Sequence, residues 1–311
     1  FLNLSRLDPH VKPFIFGWPC GSSPLSFPQV AKFASTSKET HEALATFFQS
    51  LAAAGIQRVH VFAHSMGARL FCSALPKVLP LFKPLEDHPT SSSHHEGGGA
   101  PQLKLSTLTL LHPEHDLHTF IERDYPDVRN VCEVITLYMD RSDQALAWAE
   151  VFNKAPSLGK HPFALVSNAR TPQATAGGAS PPPPPATGGS NNNAPKKGRF
   201  HLPRASVLKT TSVVKQLRGY DREVDLTFAP TAKTPALDLD VIDTSWMDTN
   251  TVGPRHSYFN VNRWLIDDLA EIIVTRRRAS SRPHRLVKLD MEGRTFGNVW
   301  VFLAAPSWIG S

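Results

Sequence analysis

The residues best suited to covalent chemistry lie in the pentapeptide Ala63-His64-Ser65-Met66-Gly67. A serine hydroxyl is a poor nucleophile unless a tight turn between a strand and a helix exposes it to a base, and such a turn needs small residues two positions before and after the serine. Ala63 and Gly67 meet that requirement. A β-branched run at 58–63 precedes the serine, and a helical pattern at 66–75 follows it. We therefore predict that Ser65 is a catalytic nucleophile; the alternatives are a structural turn or an enzyme that has lost its activity.

The start of the predicted helix contributes to the same chemistry. The first amides of a helix have no partner within the helix, and they point toward the turn that precedes it. The N–H of Met66 can therefore donate a hydrogen bond to the negative charge that develops on a carbonyl oxygen attacked by Ser65. This position predicts Met66 as an oxyanion-hole residue.

A reactive serine also needs a general base and a carboxylate that orients the base, and in this strand–turn–helix context they follow in the order serine, acid, histidine. Asp143 comes just after a predicted strand at 131–139 and is the preferred acid. Asp140 competes with it, although its position beside Arg141 suits a turn or a helix cap equally well. His256 is the only histidine in the predicted loop between the last strand and the last helix, and it is the predicted base. A surface histidine is the alternative there.

The other histidines have less specific surroundings. His64 precedes the predicted nucleophile, and we expect it to point away from the hydroxyl and support the turn. A polar cluster follows the predicted strand at 103–111 and contains His112, Glu114, His115, Asp116 and His118. The spacing is neither a helical pair nor a known zinc pattern, so the sequence favours a polar rim of the active site or a plain loop over a metal site.

The elements that must position these residues alternate along the chain. Apolar residues at helical spacing predict helices at 37–54, 66–75, 142–152 and 261–275. Short apolar or β-branched runs predict strands at 12–16, 58–63, 103–111, 131–139 and 237–242. Strands and helices that alternate imply parallel strands joined by crossovers. The predicted fold is α/β, an open and mostly parallel sheet flanked by helices.

Composition places the chain among globular proteins. Its 311 residues, 41% of them hydrophobic, permit a sizeable core. No stretch approaches the ~18 consecutive apolar residues of a membrane-spanning helix, and no secretory signal pattern opens the chain. Cys20, Cys72 and Cys132 cannot all pair with one another, and none has zinc-ligand spacing. We therefore expect an intracellular, cytoplasmic protein.

The positive charge is concentrated in one segment. Residues 151–220 carry ten Lys or Arg and no Asp or Glu, and the rest of the chain has 23 basic residues against 27 acidic ones. Five consecutive prolines and Gly-, Ser- and Asn-rich runs in the same region are typical of disorder. We predict a disordered insertion at 155–207 that separates two parts of one core domain, 1–154 and 208–275. A basic extension at 276–311 is predicted to follow.

These motifs together resemble the α/β-hydrolase superfamily, and within it a family of predicted serine hydrolases of unknown function. Four ordered motifs carry the resemblance: Phe16-Gly17-Trp18-Pro19; the Ser65 pentapeptide after Val59-His60-Val61; Ser142-Asp143 after Tyr138; and Val241-Ile242-Asp243 followed by His256-Ser257-Tyr258-Phe259. The resemblance implies an α/β-hydrolase fold, a triad of Ser65, Asp143 and His256, and an ester or other acyl substrate. It implies neither a metal nor an organic cofactor.

The family also implies a further strand with an H-G-[FY] loop, upstream of 12–16, that supplies a second oxyanion donor. That region is missing from this sequence. We therefore expect the chain to be a fragment of a longer protein, in which the missing oxyanion donor lowers activity by roughly 10²- to 10³-fold and makes labelling by serine-reactive probes weak.

Two other interpretations stay open. A non-catalytic interaction protein with a hydrolase-like scaffold would offer the proline run at 181–185 to polyproline-binding partners and the basic residues around it to anionic surfaces. A lipid-surface esterase would bind anionic vesicles in a salt-dependent way. No nucleic acid partner is expected, because the five arginines at 276–285 are more simply a solvated helix end and linker.

Overall fold

The computed structural model describes residues 7, 10–21, 26–85, 102–165, 237–245, 247, 256, 262–282, 286–291 and 294–302. Its strands form one sheet in the order β1-β2-β3-β4-β6-β5. Their bounds are Arg58–His64 (β1), Lys104–Leu111 (β2), Cys132–Met139 (β3), Asp240–Asp243 (β4), Leu286–Met291 (β5) and Arg294–Phe302 (β6). Neighbouring strands are parallel except β5 and β6, which are antiparallel. The predicted open, mostly parallel α/β sheet is confirmed.

The central strands are buried on both faces because successive residues belong to two different cores. Leu110, Leu137 and Val241 are neighbours in register across β2, β3 and β4, and they lie in one core. The residue that follows each of them in the chain lies in a second core on the other face. Apolar side chains on both faces are typical of a parallel sheet covered by helices on both sides.

Helices supply the other half of each core. Leu44 and Phe48 belong to the first core, and Leu265 and Leu269 belong to the second. No helix in the described part of the chain is both long and apolar enough to cross a membrane. The α-helices are Phe27–Thr36 (α1), Lys38–Ala53 (α2), Met66–Ser73 (α3), Leu75–Val78 (α4), Leu117–Thr119 (α5), Tyr125–Arg129 (α6), Gln144–Asn153 (α7) and Arg263–Thr275 (α8).

Two local predictions near the N-terminal end of the chain differ from the structure. Residues 11–20 have no regular secondary structure, and Ile15 is 90% exposed, so the strand predicted at 12–16 is wrong. An apolar run becomes a strand only when a neighbouring strand pairs with it. The helix predicted at 66–75 ends at Ser73, and Pro76 lies in the first turn of α4, where proline needs no N–H partner.

Residues 286–291 and 294–302, which follow α8, form two strands of the sheet. β6 pairs with β4 on one side and with β5 on the other. Val299 and Val301 are buried in the same core as Val241. The basic extension predicted at 276–311 is therefore wrong for the two strands, which the sequence analysis did not identify.

Two of the arginines that follow α8 contact the body of the protein. Arg278 pairs with Asp238 at 2.5 Å and with Asp240 at 3.1 Å. Arg282 is fully buried and pairs with Asp268 at 2.8 Å, and the same carboxylate accepts a hydrogen bond from the hydroxyl of Tyr138. These two side chains are structural, so the prediction of a solvated helix end is wrong for them.

The first residues of the predicted insertion are part of the packed structure. Short 3-10 turns at Leu158–Lys160 and Pro162–Leu165 follow α7. Leu158, Phe163 and Leu165 have exposed fractions of 3% or less, so the boundary predicted at 155 lies too early. The rest of the predicted insertion, 166–207, lies outside the described residues.

Candidate active site

Ser65 occupies the turn between β1 and α3, at the edge where the parallel strands end. Its backbone angles are φ 52° and ψ −121°, a combination that costs a residue with a side chain about 1–3 kcal/mol. The Ser65 N–H donates to the carbonyl of Leu111 (3.0 Å), and the Ser65 carbonyl accepts from the N–H of Glu114 (3.1 Å). These bonds to the end of β2 hold the strained turn in place.

The structure brings the three residues of the predicted triad together. His256 Nε2 lies 2.7 Å from Ser65 Oγ, and His256 Nδ1 lies 2.7 Å from Asp143 Oδ2. The carboxylate is fully buried, whereas the imidazole of His256 is 14% exposed. Because an ionised carboxylate only accepts hydrogen bonds, His256 carries its proton on Nδ1, and its Nε2 is free to accept the proton of the serine.

Asp143 reaches this position because it is the N-cap of α7. Its Oδ1 accepts the N–H of Leu146 at 3.0 Å, as aspartate commonly does at this position. Burial by itself would raise the pKa of Asp143, but hydrogen bonds from His112 and His256 outweigh it and hold that pKa at about 2. The carboxylate is therefore ionised at neutral pH.

Asp140, the competing acid, has a different contact. It is also fully buried, but its Oδ1 accepts the N–H of Ser142 at 2.7 Å, and its own N–H donates to the carbonyl of Gly159 at 2.9 Å. These bonds shape the turn between β3 and α7. The geometry therefore favours Asp143 over Asp140 as the partner of His256.

His64 supports the loop that carries the base. Its Nε2–H donates to the backbone carbonyl of His256 at 2.9 Å, and the two rings are 4.8 Å apart. Burial and the neighbouring charge of His256 lower the pKa of His64 to about 4, so its ring is neutral at pH 7. The contact that the structure shows for the His64 side chain is thus with the backbone of the base, and the predicted support of the serine turn stays a prediction.

His112 lies in the polar cluster predicted after β2, but its contact with the candidate acid was not predicted from the sequence. It follows β2 directly, and its Nδ1 lies 3.0 Å from Asp143 Oδ2, the same oxygen that His256 contacts. Its side chain is 1% exposed. The available signal was its position: a polar residue at the end of a buried strand lies beside the ends of the neighbouring parallel strands.

Other residues of the polar cluster after β2 contact different partners. Asp116 caps α5 by accepting the N–H of Thr119 at 2.7 Å. His115 Nε2 lies 2.5 Å from Asp124 Oδ2, and both side chains are buried. Cys72 Sγ lies within 4.8 Å of these two groups, so these three residues could offer ligands to a metal ion, as could His112, Asp143 and His256. His112 and His115 thus contact different carboxylates.

Arg69 ties the same loop to the nucleophile helix. Its guanidinium lies 3.1 Å from the carboxylate of Glu114, and its Nε donates to the backbone carbonyl of that residue at 3.2 Å. Burial raises the pKa of Glu114, and the charge of Arg69 opposes that rise. The ion pair holds α3 close to the residues that follow β2. The serine turn depends on this arrangement, because the Ser65 carbonyl accepts a hydrogen bond from the N–H of Glu114.

Met66 is the first residue of α3 and is 3% exposed. Its N–H has no acceptor within the helix and lies at the positive end of the helix dipole. A developing oxyanion beside Ser65 can be stabilised there. The site thus combines a strained serine, a base, an ionised carboxylate and an amide donor, which is the set of groups that acyl transfer uses.

Comparisons with known proteins give a result at the level of the family. A search of the curated proteins and a search of the solved structures each found no match. The family model described as "Alpha/beta hydrolase of unknown function (DUF900)" matches residues 4–176, which is more than half of the chain. Ser65 and Asp143 lie within the matched range, and His256 lies beyond it. The chain therefore belongs to this family of α/β hydrolases.

Proposed function

We propose that this α/β hydrolase is a serine hydrolase that cleaves an ester or a related acyl bond through an acyl-enzyme intermediate. One observation carries the proposal: two hydrogen bonds, each 2.7 Å long, connect Ser65 through His256 to Asp143. A nucleophile, a base and an orienting carboxylate linked in this order are the parts that the reaction requires.

In the first half of the reaction, Ser65 Oγ attacks the carbonyl carbon of the substrate while its proton moves to Nε2 of His256. The Met66 N–H donates to the oxyanion of the tetrahedral intermediate. Asp143 remains ionised and stabilises the imidazolium through the hydrogen bond at Nδ1. Nε2 then gives its proton to the leaving group, and the carbonyl re-forms as an ester of Ser65.

In the second half, water takes the place of the leaving group. Nε2 of His256 accepts a proton from the water as the water attacks the acyl-serine. The oxyanion forms again beside Met66. Collapse of this intermediate releases the carboxylic acid and returns the proton to Ser65 Oγ, so the site is restored without net change.

A fluorophosphonate probe tests the nucleophile directly, because it forms a stable bond only with an activated serine. We expect the wild-type chain to be labelled and Ser65→Ala to remain unlabelled. Ser73→Ala is the matched control, because Ser73 is the last residue of the helix that follows Ser65 and lies at its far end from the candidate site. This variant should be labelled like the wild type. Labelling of Ser65→Ala at the wild-type level would contradict the assignment of the nucleophile.

Turnover distinguishes an enzyme from a hydrolase-like binding protein. A panel of p-nitrophenyl esters of graded chain length should show hydrolysis that Ser65→Ala reduces by about 10⁴-fold or more. A folded wild-type chain that neither reacts with the probe nor hydrolyses any ester would contradict the enzyme proposal and favour a non-catalytic interaction protein.

The cysteines favour a reducing compartment as the place of this activity. All three are free, and Cys72 and Cys132 are buried in the core. Burial raises the pKa of the Cys132 thiol to about 12 and also raises that of Cys72, so both remain unreactive thiols at neutral pH. We propose an intracellular location on this basis.

A further inference from the structure

One carboxylate oxygen of the candidate site is shared by two imidazoles. Asp143 Oδ2 lies 2.7 Å from Nδ1 of His256 and 3.0 Å from Nδ1 of His112. The reaction proposed above uses only His256. Because the ionised carboxylate can only accept, His112 must also carry a proton on Nδ1 and donate it in a hydrogen bond.

We propose that His112 is a positioning residue, which fixes the carboxylate of Asp143 so that Oδ2 stays aligned with the imidazole of His256. This inference rests on the proposed function, since a positioning residue requires a reaction to serve. His112 acts through Asp143, the carboxylate that it contacts. Its contribution should therefore appear in the catalytic rate and not in substrate binding.

The backbone of His112 supports a specific role for the side chain. Its φ is 44°, in the left-handed region, which glycine adopts freely and which residues with a side chain adopt uncommonly, histidine more often than most. Its N–H donates to the carbonyl of Tyr138 at 2.9 Å, which ties the end of β2 to β3. Glycine would adopt this backbone conformation at a lower free-energy cost if the side chain had no function. At this position the conformation directs an imidazole to Asp143.

Gly159 holds the strained turn from the other side. A Cβ at this position would lie 2.7 Å from the nitrogen of Pro113 and 2.8 Å from the carbonyl carbon of His112, distances too short for non-bonded atoms. The Gly159 N–H donates to Pro113 (2.9 Å), and its carbonyl accepts from the N–H of Asp140 (2.9 Å). Gly159 thus connects the turn that bears His112 to the turn that precedes Asp143.

The imidazole of His112 faces one carboxylate and two other imidazoles. Asp143 contacts it directly, and the rings of His256 and His64 lie 6.0 Å and 6.5 Å away. When His256 takes the serine proton, Asp143 Oδ2 must stay aligned with Nδ1 of His256. The hydrogen bond from His112 restrains the carboxylate against rotation away from that alignment.

The test compares His112→Leu with His112→Asn. Leucine removes the donor, whereas the side-chain amide of asparagine can donate from nearly the same position as Nδ1 and also tolerates a positive φ. With p-nitrophenyl acetate we expect kcat of His112→Leu to fall roughly 10- to 100-fold at unchanged KM, the size expected for one lost hydrogen bond to a charged group. His112→Asn should stay within about threefold of the wild type, because the donor is retained.

Gly159→Ala provides an independent variant that retains the histidine at position 112 but changes the backbone beside it. The added methyl group should displace the turn at His112 and lower kcat with little effect on KM. A folded His112→Leu variant with wild-type kcat would overturn the proposal. A folded His112→Asn variant whose kcat is as low as that of Ser65→Ala would also overturn the proposal. If His112→Leu does not fold, the kcat of His112→Asn is the test. Failure of the proposed function is recognised separately, because the wild-type chain itself would then show no turnover.

Discussion

Asp143→Asn tests the candidate acid with the smallest change in shape. The carboxylate accepts three hydrogen bonds, from Leu146 on Oδ1 and from His112 and His256 on Oδ2, at 3.0, 3.0 and 2.7 Å. An amide offers one accepting oxygen and one donating nitrogen. Whichever way the new side chain turns, its NH₂ group must face at least one of these N–H donors.

The size of the effect follows from those two orientations. If the amide nitrogen faces the histidines, His256 can no longer donate from Nδ1, and the tautomer with a free Nε2 is lost, which costs about 10⁴-fold in kcat. If the amide nitrogen faces Leu146 instead, the N-cap of α7 is lost at about 1 kcal/mol. Either way the negative charge that stabilises the imidazolium is gone, so we expect kcat to fall about 10³- to 10⁴-fold.

The assay measures kcat for p-nitrophenyl acetate together with the free energy of unfolding in urea. Asp140→Asn is the matched control, because this neighbouring buried aspartate contacts Ser142 in its own turn. We expect this control to retain kcat within a few-fold of the wild type. A folded Asp143→Asn enzyme within tenfold of wild-type kcat would refute the assignment of the acid, as would an equal loss in Asp140→Asn.

Three further predictions concern stability. The pKa of Asp143 is about 2 in the folded chain against 3.8 for a free aspartate, so its ionised form contributes about 2 kcal/mol above pH 4. This contribution should disappear as the pH falls toward 2. The free energy of unfolding of Asp143→Asn, measured in urea, should therefore depend less on pH between 4 and 2 than that of the wild type. An equal dependence in both proteins would contradict the assignment of the low pKa to Asp143. Arg282→Met leaves the buried carboxylate of Asp268 without its cation, which should cost about 3–5 kcal/mol. Adding Asp268→Leu should recover part of that loss, and no recovery would show that the pair is not coupled. Asn262 accepts two backbone N–H groups at the start of α8, so Asn262→Ala should lower the free energy of unfolding by about 1 kcal/mol; an unchanged midpoint in urea would argue against the cap.

Part of the candidate site could be predicted because its signals are local. The strand before Ser65, the small residues around it and the helix after it lie within one short segment, and the structure has the same elements there. Asp143 was placed by its distance from the end of a strand. The choice between Asp143 and Asp140 depends on how the turn directs each side chain, and that is visible only in the hydrogen bonds at Leu146 and Ser142.

The role of His112 could not be predicted, because it depends on a contact between residues far apart in the chain. Its neighbours in sequence, His115 and His118, suggested one cluster, but the turn at Pro113 directs His112 to Asp143, while His115 contacts Asp124. The sharing of one oxygen by two rings appears only when β2 and β3 are aligned.

The fold was predicted best where apolar and β-branched residues dominate a segment, and least well where the pairing partner of a strand decides the outcome. β2 and β3 consist mainly of apolar and β-branched residues, and the strands predicted at 103–111 and 131–139 lie within one residue of the observed bounds. β5 and β6 contain charged and polar residues at positions such as Lys288, Arg294 and Asn298, so their sequence resembles a loop. The run at 12–16 shows the opposite case: its sequence is typical of a strand, but it pairs with no other strand in the described structure.

The position of β6 between β4 and β5 has a consequence for synthesis on the ribosome. β1, β2 and β3 pair in the order in which they are made, but β4 at Asp240–Asp243 receives its second neighbour only after Phe302 has emerged. Until then the nascent sheet ends in an open edge, which is the kind of surface that associates with other chains. A nascent chain halted between these two strands therefore exposes the edge of β4 to association with other chains, and we expect a chaperone that binds this edge to protect it.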